Sequence, residues 1–373
     1  MKYYIIAGEA SGDLHGSNLI KELKKLDPAA NIRCWGGDMM QAAGAVLVKH
    51  FRELAFMGFI EVIKNLRTIF RNLKYCKTDI LNYHPDAIIL IDYPGFNLRI
   101  AKWAKPLHYK VIYYISPQVW AWKENRVKAI KETVDKMIVI LPFEKDFYIR
   151  WNYPVDYVGH PLVEVIENFR KQAPVPQAKA GHDHVTKIIA LLPGSRKQEI
   201  LKKLPIMLGV STLFPEHHFI VAQAPAQEDV FYQELLKEYK NVSIVKNETY
   251  QLLLIADAAL VTSGTATLET ALFEVPEVVC YKGSNISYLI AKQLIKVKYI
   301  CLVNLIMNKE VVKELIQEKL TVENLQKELN LLLNDAGRKA QLQRDYTDLK
   351  KLLREGGNAS ENAATCIVKF MVR

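Results

Sequence analysis

Residues 257–276 read DAALVTSGTATLETALFEVP, and the fold turns on how they are read. Residues 258–262 form a short apolar run of the kind that fills a buried parallel strand. Ser263, Gly264 and Thr265 make a small-residue turn, and residues 266–273 predict a helix closed off by Pro276. A turn from strand to helix gathers unpaired backbone N–H groups and the positive end of a helix dipole at one point, which suits a phosphate. Gly264 lets the backbone approach such an anion, while Ser263, Thr265 and Thr267 add hydroxyl donors. Glu269, placed in the first helical turn, offers a carboxylate to the two hydroxyls of a ribose. The same letters also spell an ordinary helix start, with Ser263 or Thr265 as N-cap and Glu269 on the dipole. The rest of the chain decides between the two.

A chain of 373 residues suggests two domains, each able to bury a core. Half of its residues are hydrophobic and 24% are charged, which excludes a disordered protein. Cys34, Cys76, Cys280, Cys301 and Cys366 are far apart and make no CxxC pair, which argues against a disulfide framework or a zinc site and for a reducing cytoplasm. The apolar run at 3–7 is too short for a signal peptide and predicts a first strand. No stretch of about twenty apolar residues is present to span a membrane. The net charge of +10 points to an acidic partner, whether nucleic acid, an anionic membrane surface or a phosphorylated substrate.

Apolar runs alternate with helix-periodic stretches, the pattern of an α/β protein built on parallel sheets. In the first half, runs at 3–7, 87–91, 111–115, 136–140 and 156–158 predict strands, with helices such as 14–26 and 60–83 between them. Residues 172–186, QAPVPQAKAGHDHVT, lack periodicity and read as an interdomain linker or a long surface loop. Strands are then expected at 188–192, 218–222, 243–245 and 258–262, with helices near 198–213, 228–239 and 248–256. The final sixty residues read as helical, with breaks near 334–337 and at Gly356 and Gly357. The expected architecture is two Rossmann-like halves with a cleft between them, where ligands bind beyond the carboxyl ends of the strands.

Each half sets a small-residue turn behind its first strand. In the second half it is LPGSRKQE, residues 192–199: Gly194 and Ser195 suit a tight anion-accepting turn, and Arg196 adds a guanidinium for phosphate. A plain loop with a solvated Arg is the alternative. Together with SGTATLE, this makes two phosphate-competent turns behind strands of one sheet, which suits a diphosphate. In the first half the turn is GEASGDLHG, residues 8–16, whose glycines miss the G-x-G-x-x-G spacing and which has no G-K-[ST]. That argues against a dinucleotide site and a Walker loop. Glu9, Ser11, Asp13 and His15 gather there instead, although Ser11 also reads as an N-cap with Asp13 on the dipole.

AIILIDYPGFN, residues 87–97, puts Asp92 directly behind a wholly apolar strand. An acid in that place is costly unless paired or functional, so Asp92 reads either as a general base or as a carboxylate bonded to loop amides. YYISPQVWAWKENR brings Ser116, Gln118, Trp120, Trp122 and Arg126 behind the next strand, aromatics suited to a sugar or acyl surface or simply to packing. His160 in VGHPL reads as a hinge contact or a ligand to substrate. From Leu54, LAFMGFIEVIKNLRTIFRNLKYCKTDIL carries an apolar stripe (Phe59, Ile63, Leu66, Phe70, Leu73) beside a basic one (Lys64, Arg67, Arg71, Lys74). Behind a turn holding Phe56 and Met57, such a helix reads as an interfacial segment or as a helix packed on the sheet with a solvated basic edge. Nucleic acid fits poorly, since the basic residues are spread along the chain and no binding module is recognisable.

Taken in order, GEASGD, LAFMGFIEV, DYPGFN, SPQVWAW, LPFEK, VGHP, LPGSR and SGTATLE make the chain resemble the lipid A disaccharide synthase family over essentially its whole length. The resemblance implies an α/β chain of GT-B fold, with two Rossmann-like domains facing a cleft and C-terminal helices returning to the first. It implies an acceptor and membrane-facing domain at 1–171, a linker at 172–186, a UDP-sugar domain at 187–345 and returning helices at 346–373. The implied reaction is an inverting transfer that joins UDP-2,3-diacylglucosamine to 2,3-diacylglucosamine 1-phosphate through a β-1,6 bond and releases UDP. Its implied place is the cytoplasmic face of the inner membrane of Gram-negative bacteria. The implied partners are acylated glucosamine lipids and that membrane surface, with no nucleic acid; a homodimer is compatible.

Residue by residue, the resemblance makes Asp92 the base that deprotonates the acceptor hydroxyl. Gly194, Ser195 and Arg196 match the diphosphate turn, and Ser263, Gly264, Thr265 and Glu269 match the donor phosphate and ribose site. Glu9, Ser11 and Asp13 match a cleft-facing loop; His15 falls where the family varies. Asn304, Glu314 and Gln317 lie in a segment like the family's PN…ELLQ stretch, with Val303 in place of the usual Pro and ELIQ for ELLQ. Met57, Phe59 and Ile63 gain a purpose as acyl or membrane contacts, because the substrates must be drawn from a bilayer. The UDP-sugar is a substrate, so no cofactor is implied. The chain holds no Asp-x-Asp triplet, and no metal ion is expected: Arg196, the amides around Gly194 and Gly264 and the helix start would stabilise the leaving diphosphate. Two rival readings remain. One is another UDP-GlcNAc enzyme of this fold, a peptidoglycan glucosaminyltransferase or a UDP-GlcNAc 2-epimerase; the other is a nucleotide-sugar-binding protein without turnover.

Overall fold

Tyr3 to Ala7 are fully buried, and that apolar run forms an inner strand of the first of two parallel sheets. The computed structural model describes residues 1–54, 66–122, 124–173, 186–225, 227–283 and 297–372. The first sheet contains β1 (Lys2–Ala7), β2 (Asn31–Gly36), β3 (Val46–His50), β4 (Ala87–Ile91), β5 (Lys110–Tyr114), β6 (Lys136–Val139) and β7 (Asp156–Tyr157). Their spatial order is β3-β2-β1-β4-β5-β6-β7. The second contains β8 (Ile188–Leu192), β9 (His218–Gln223), β10 (Val242–Lys246), β11 (Ala258–Thr262), β12 (Glu277–Tyr281) and β13 (Lys313–Ile316), ordered β10-β9-β8-β11-β12-β13.

Both orders reverse once, between β1 and β4 in one sheet and between β8 and β11 in the other. A ligand of a doubly wound sheet binds at that reversal, beyond the carboxyl ends of the strands. Registry brings the named turns there. Ala7 lies opposite Ile91, so Gly8 and Asp92 leave neighbouring strands side by side. Leu192 lies opposite Val261, so the LPGSR and SGT turns leave neighbouring strands in the same way.

Four strands were not expected from the sequence. β2 hides its strand character behind polar groups that are satisfied in the core: Trp35 Nε1 donates to Tyr4 Oη at 2.8 Å, Tyr4 Oη to Asp79 Oδ2 at 2.7 Å, and Arg33 to both Asp79 oxygens. β3 is only half-buried, β12 opens on the fully buried Glu277, and β13 spans four residues that include two charges. The expectation of a wholly helical final sixty residues gives way at β13. Beyond it the chain is helical, in Val322–Asn334, Ala336–Arg354 and Ala359–Val372. Met57, Phe59, Ile63 and most of the 172–186 segment lie outside the described residues.

The chain forms two compact units, Met1–Pro161 with Leu353–Arg373, and Leu162–Leu352. In the first, the C-terminal helix Ala359–Val372 packs along the helix Ala10–Leu26. Two glycines permit this return. Gly159 has φ +91°, and a Cβ on Gly356 would stand 2.1 Å from the Gly159 nitrogen and 2.4 Å from its Cα. Gly356→Ala should therefore destabilise the first unit by about 1–3 kcal/mol, as overpacking against rigid backbone does. Urea denaturation of the variant beside wild type measures this; an unchanged midpoint would mean the 355–358 segment yields without cost.

Candidate active site

In the first unit the site is built on an irregular exit from β4. Asp92 and Tyr93 both take left-handed backbone, at φ +42° and +47°, before Pro94 starts the helix Pro94–Ala104 at its first position. The surroundings fix this shape. The Asp92 carbonyl accepts from Tyr113 Oη at 2.5 Å and from Asn97 Nδ2 at 2.8 Å, and both donors are fully buried. Asn97 Nδ2 also reaches the Ile6 carbonyl at 3.3 Å, tying the end of β1 to that of β4. A Cβ on Gly8 would stand 2.3 Å from the Tyr93 ring, so only glycine lets that ring lie against the turn behind β1. The Asp92 carboxyl is partly buried and titrates near 7: burial raises it most, the neighbouring Glu9 raises it further, and a backbone N–H from Tyr93 works the other way.

The structure separates the acids of the GEASGD turn. Glu9 is the N-cap residue of the helix Ala10–Leu26, without a side-chain cap bond, so Ser11 is not the cap but an exposed residue of the first turn. Asp13 is buried and accepts from the backbone nitrogens of Gly37 at 2.7 Å, Met40 at 3.0 Å and Met39 at 3.2 Å. It therefore caps the short helix Asp38–Ala42 rather than facing a ligand. His15 and His160 are both buried, and burial holds them neutral, at about 4 and about 3. Trp120 packs edge-on against Phe143 and donates to the buried Glu144 at 3.2 Å, which settles it as a packing residue.

In the second unit Gly194 turns at φ +108°, and Arg196 is the N-cap residue of the helix Lys197–Ser211. The Arg196 guanidinium is more than half exposed and meets Glu199 Oε1 at 3.1 Å. Behind β11 the N-cap is Gly264, at φ +151° and without a side-chain cap bond; neither Ser263 nor Thr265 caps the helix Thr265–Leu272. Thr267 Oγ1 bonds back to the Gly264 carbonyl at 2.8 Å, and among the described residues nothing lies within 4 Å of a Cβ built on Gly264. This start is open and uncapped, with its positive end outward. Glu269 is the fifth helical residue rather than a first-turn acid; it accepts from Tyr250 Oη at 2.7 Å, and burial raises its pKa.

Ser263, Asn304 and Glu314 come together in one network. Ser263 Oγ donates to the Ile300 carbonyl at 3.1 Å, while Glu314 accepts from the nitrogens of Ile300 and Cys301 and from Asn304 Nδ2 at 3.0 Å. Gln317 Oε1 accepts from Gly283 N at 2.7 Å. Asn304, Glu314 and Gln317 thus hold the backbone between β12 and β13. The sequence reading missed Asn97, Tyr113 and Lys203. Asn97 had a signal, a polar residue on the inward face three positions past Pro94. Lys203 had none, since a Lys within a helix reads as solvated.

A family model described as Lipid-A-disaccharide synthetase matches residues 3–370. A lipid-A-disaccharide synthase of Nitrosococcus oceani is 39% identical over 373 residues, covering 98% of this chain and 95% of that protein. Among solved structures, the UDP-GlcNAc 2-epimerase of Neisseria meningitidis bound to UDP-GlcNAc superposes with a TM-score of 0.67 at 13% identity, with full coverage of both chains. The kitacinnamycin glycosyltransferase gives 0.66 at 14% identity, covering 99% of this chain and 98% of its own. These distant structures show the fold alone, two Rossmann-like parallel sheets of the GT-B kind.

The Asp92 shift has a stability consequence. Its folded pKa near 7 lies above the unfolded value near 3.8, so the folded state holds the proton more tightly, and stability falls as pH rises through that window. Asp92→Asn removes the effect. The variant should match or fall slightly below wild type at pH 4 and melt higher than wild type at pH 8. Melting curves of both proteins from pH 4 to 8 check this; a constant difference would mean Asp92 is ionised throughout.

Proposed function

The chain belongs to the lipid-A-disaccharide synthetase family, and we propose that Asp92 is its base and that the turns behind β8 and β11 seat its UDP-sugar donor. The protein is a glycosyltransferase. In this reading it joins UDP-2,3-diacylglucosamine to 2,3-diacylglucosamine 1-phosphate, the first unit taking the acceptor and the second the donor. One observation carries the proposal: a partly buried carboxylate is held at the reversal of the first sheet by the strained exit of β4, where burial and the neighbouring Glu9 both push its pKa up, to about 7. A base with that pKa is half ionised near neutral pH and can take a proton from a hydroxyl as the bond forms.

The acceptor's 6-hydroxyl gives its proton to Asp92, and its oxygen attacks the anomeric carbon on the face opposite the leaving UDP. A single displacement turns an α-linked donor into a β product. The leaving diphosphate gathers negative charge, which the amides around Gly194 and Gly264, the uncapped helix start and the Arg196 guanidinium are suited to receive. Glu269, steadied by Tyr250, is the candidate partner of the ribose hydroxyls. Asn304, Glu314 and Gln317 support that seat by holding its loops, and Ser263 links it to them.

The acylated lipids and the inner face of the inner membrane belong to the same proposal. Among the described residues no helix is long and apolar enough to cross a membrane. On the helix Leu66–Tyr83, Phe70 is 61% exposed beside the exposed Arg67, Arg71 and Lys74, a pairing suited to an anionic interface.

Asp92→Asn should lose about 10²–10⁴ in turnover while keeping UDP binding, since an amide cannot accept the proton. The assay is UDP release with both acylated sugars after exhaustive EDTA treatment, with the linkage read by NMR. Wild type should stay active and give the β-1,6 product. Near-wild-type turnover of the variant would move the role to Glu9, and an α-linked product would sink the single displacement.

A further inference from the structure

The helix Lys197–Ser211 buries Ile200, Leu204 and Met207, and between them it also buries a charge. The Lys203 side chain is 4% exposed. Its Nζ donates to Thr262 Oγ1, at the last residue of β11, and lies 3.7 Å from Glu199 Oε2. A Cβ on the left-handed Gly194 would stand 3.5 Å from the same nitrogen. One ammonium therefore bonds the exit of β11 and lies close to that of β8, at the reversal of the second sheet where the LPGSR and SGT turns leave.

Stability does not account for it. A buried ion pair is commonly no better than an apolar residue of the same volume, and this one is loose. Glu199 is more than a third exposed, and its other oxygen already meets Arg196 at 3.1 Å. Thr262 is neutral. Burial depresses the Lys203 pKa, while Glu199 pulls it back up. The group is held where a positive charge is expensive unless a negative one arrives.

We propose that Lys203 is a positioning residue of the donor seat, a fixed cation that draws a nucleoside diphosphate onto the turns behind β8 and β11. It acts from beneath on phosphates arriving over Gly194 and Gly264. Through Glu199 it also sets the Arg196 guanidinium, the exposed cation of the same turn. The assignment rests on the donor reading given above.

UDP and uridine share base and ribose and differ in the diphosphate, so the pair isolates the charge. With the full-length protein, UDP binding is measured by calorimetry and uridine binding by NMR titration, for wild type and Lys203→Met. The expected result is a ten- to hundredfold loss of UDP affinity, roughly the worth of a charge-assisted contact, with uridine affinity unchanged. Lys203→Gln carries the same comparison if the Met variant does not fold. Equal losses for both ligands would make Lys203 purely structural, and unchanged UDP affinity would remove it from the seat; either overturns the assignment. A wild type that fails to bind UDP would overturn the donor reading itself, and this assignment with it.

Discussion

Everything in the first unit's site depends on the chain leaving β4 through two consecutive left-handed residues. Such conformations cost about 1–3 kcal/mol each for residues with a side chain, so Asp92 and Tyr93 persist only because their surroundings leave no alternative. Tyr113 and Asn97 grip the Asp92 carbonyl from below, and the Tyr93 ring lies where only Gly8 leaves room. The outcome is a carboxyl group stationed beside Glu9 at the sheet's reversal, partly stripped of water. The raised pKa follows from that placement. Strain in the backbone is thereby linked to the proton affinity of one side chain.

In the proposed reading the second unit meets the opposite problem with the same topology. A leaving diphosphate needs positive charge fixed in advance, and mobile surface side chains supply it poorly. Gly264, with no side chain of its own to cap it, opens one helix, Gly194 turns beside it, and the buried Lys203 bonds Thr262 at the end of β11. Where the first sheet uses burial to keep a carboxyl group near neutrality, the second uses burial to keep a cation from wandering. Both devices sit at the end of apolar strand runs: Ile91 closes one and Leu192 another, while Thr262 closes β11 with the hydroxyl that Lys203 meets.

Much of this was legible in the sequence, and the exceptions have physical causes. β4, β8 and β11 read out residue for residue because nothing polar interrupts them. β2 did not, because its Arg33 and Trp35 look solvated until Asp79 and Tyr4 arrive from elsewhere in the fold. The turns at Asp92, Gly194 and Gly264 could be placed from local chemistry alone. The fate of the Asp13 carboxylate could not, since its partners Gly37, Met39 and Met40 lie more than twenty residues away. The same holds for Asn304 and Glu314: the resemblance placed them in the substrate cleft, but only packing reveals that they bind backbone. Lys203 was the hardest to see, because a buried lysine looks in sequence like any lysine on a helix.

Fold alone leaves the chemistry open, because sheets of this order serve sugar epimerases and glycosyltransferases alike. What narrows it is the contrast between the two reversals. A site that only bound a nucleotide sugar would need the open turns of the second sheet and nothing from the first. A strained, half-buried acid at the first reversal would then be a standing cost with no return, and an amide or a serine would satisfy Tyr93 and the neighbouring loop as well. The acid stands there with burial and a second carboxylate both pushing its pKa up, an arrangement in which ionising it costs stability. Such a cost makes sense when the group must exchange a proton. That is the ground on which the proposed reading makes Asp92 a reacting group.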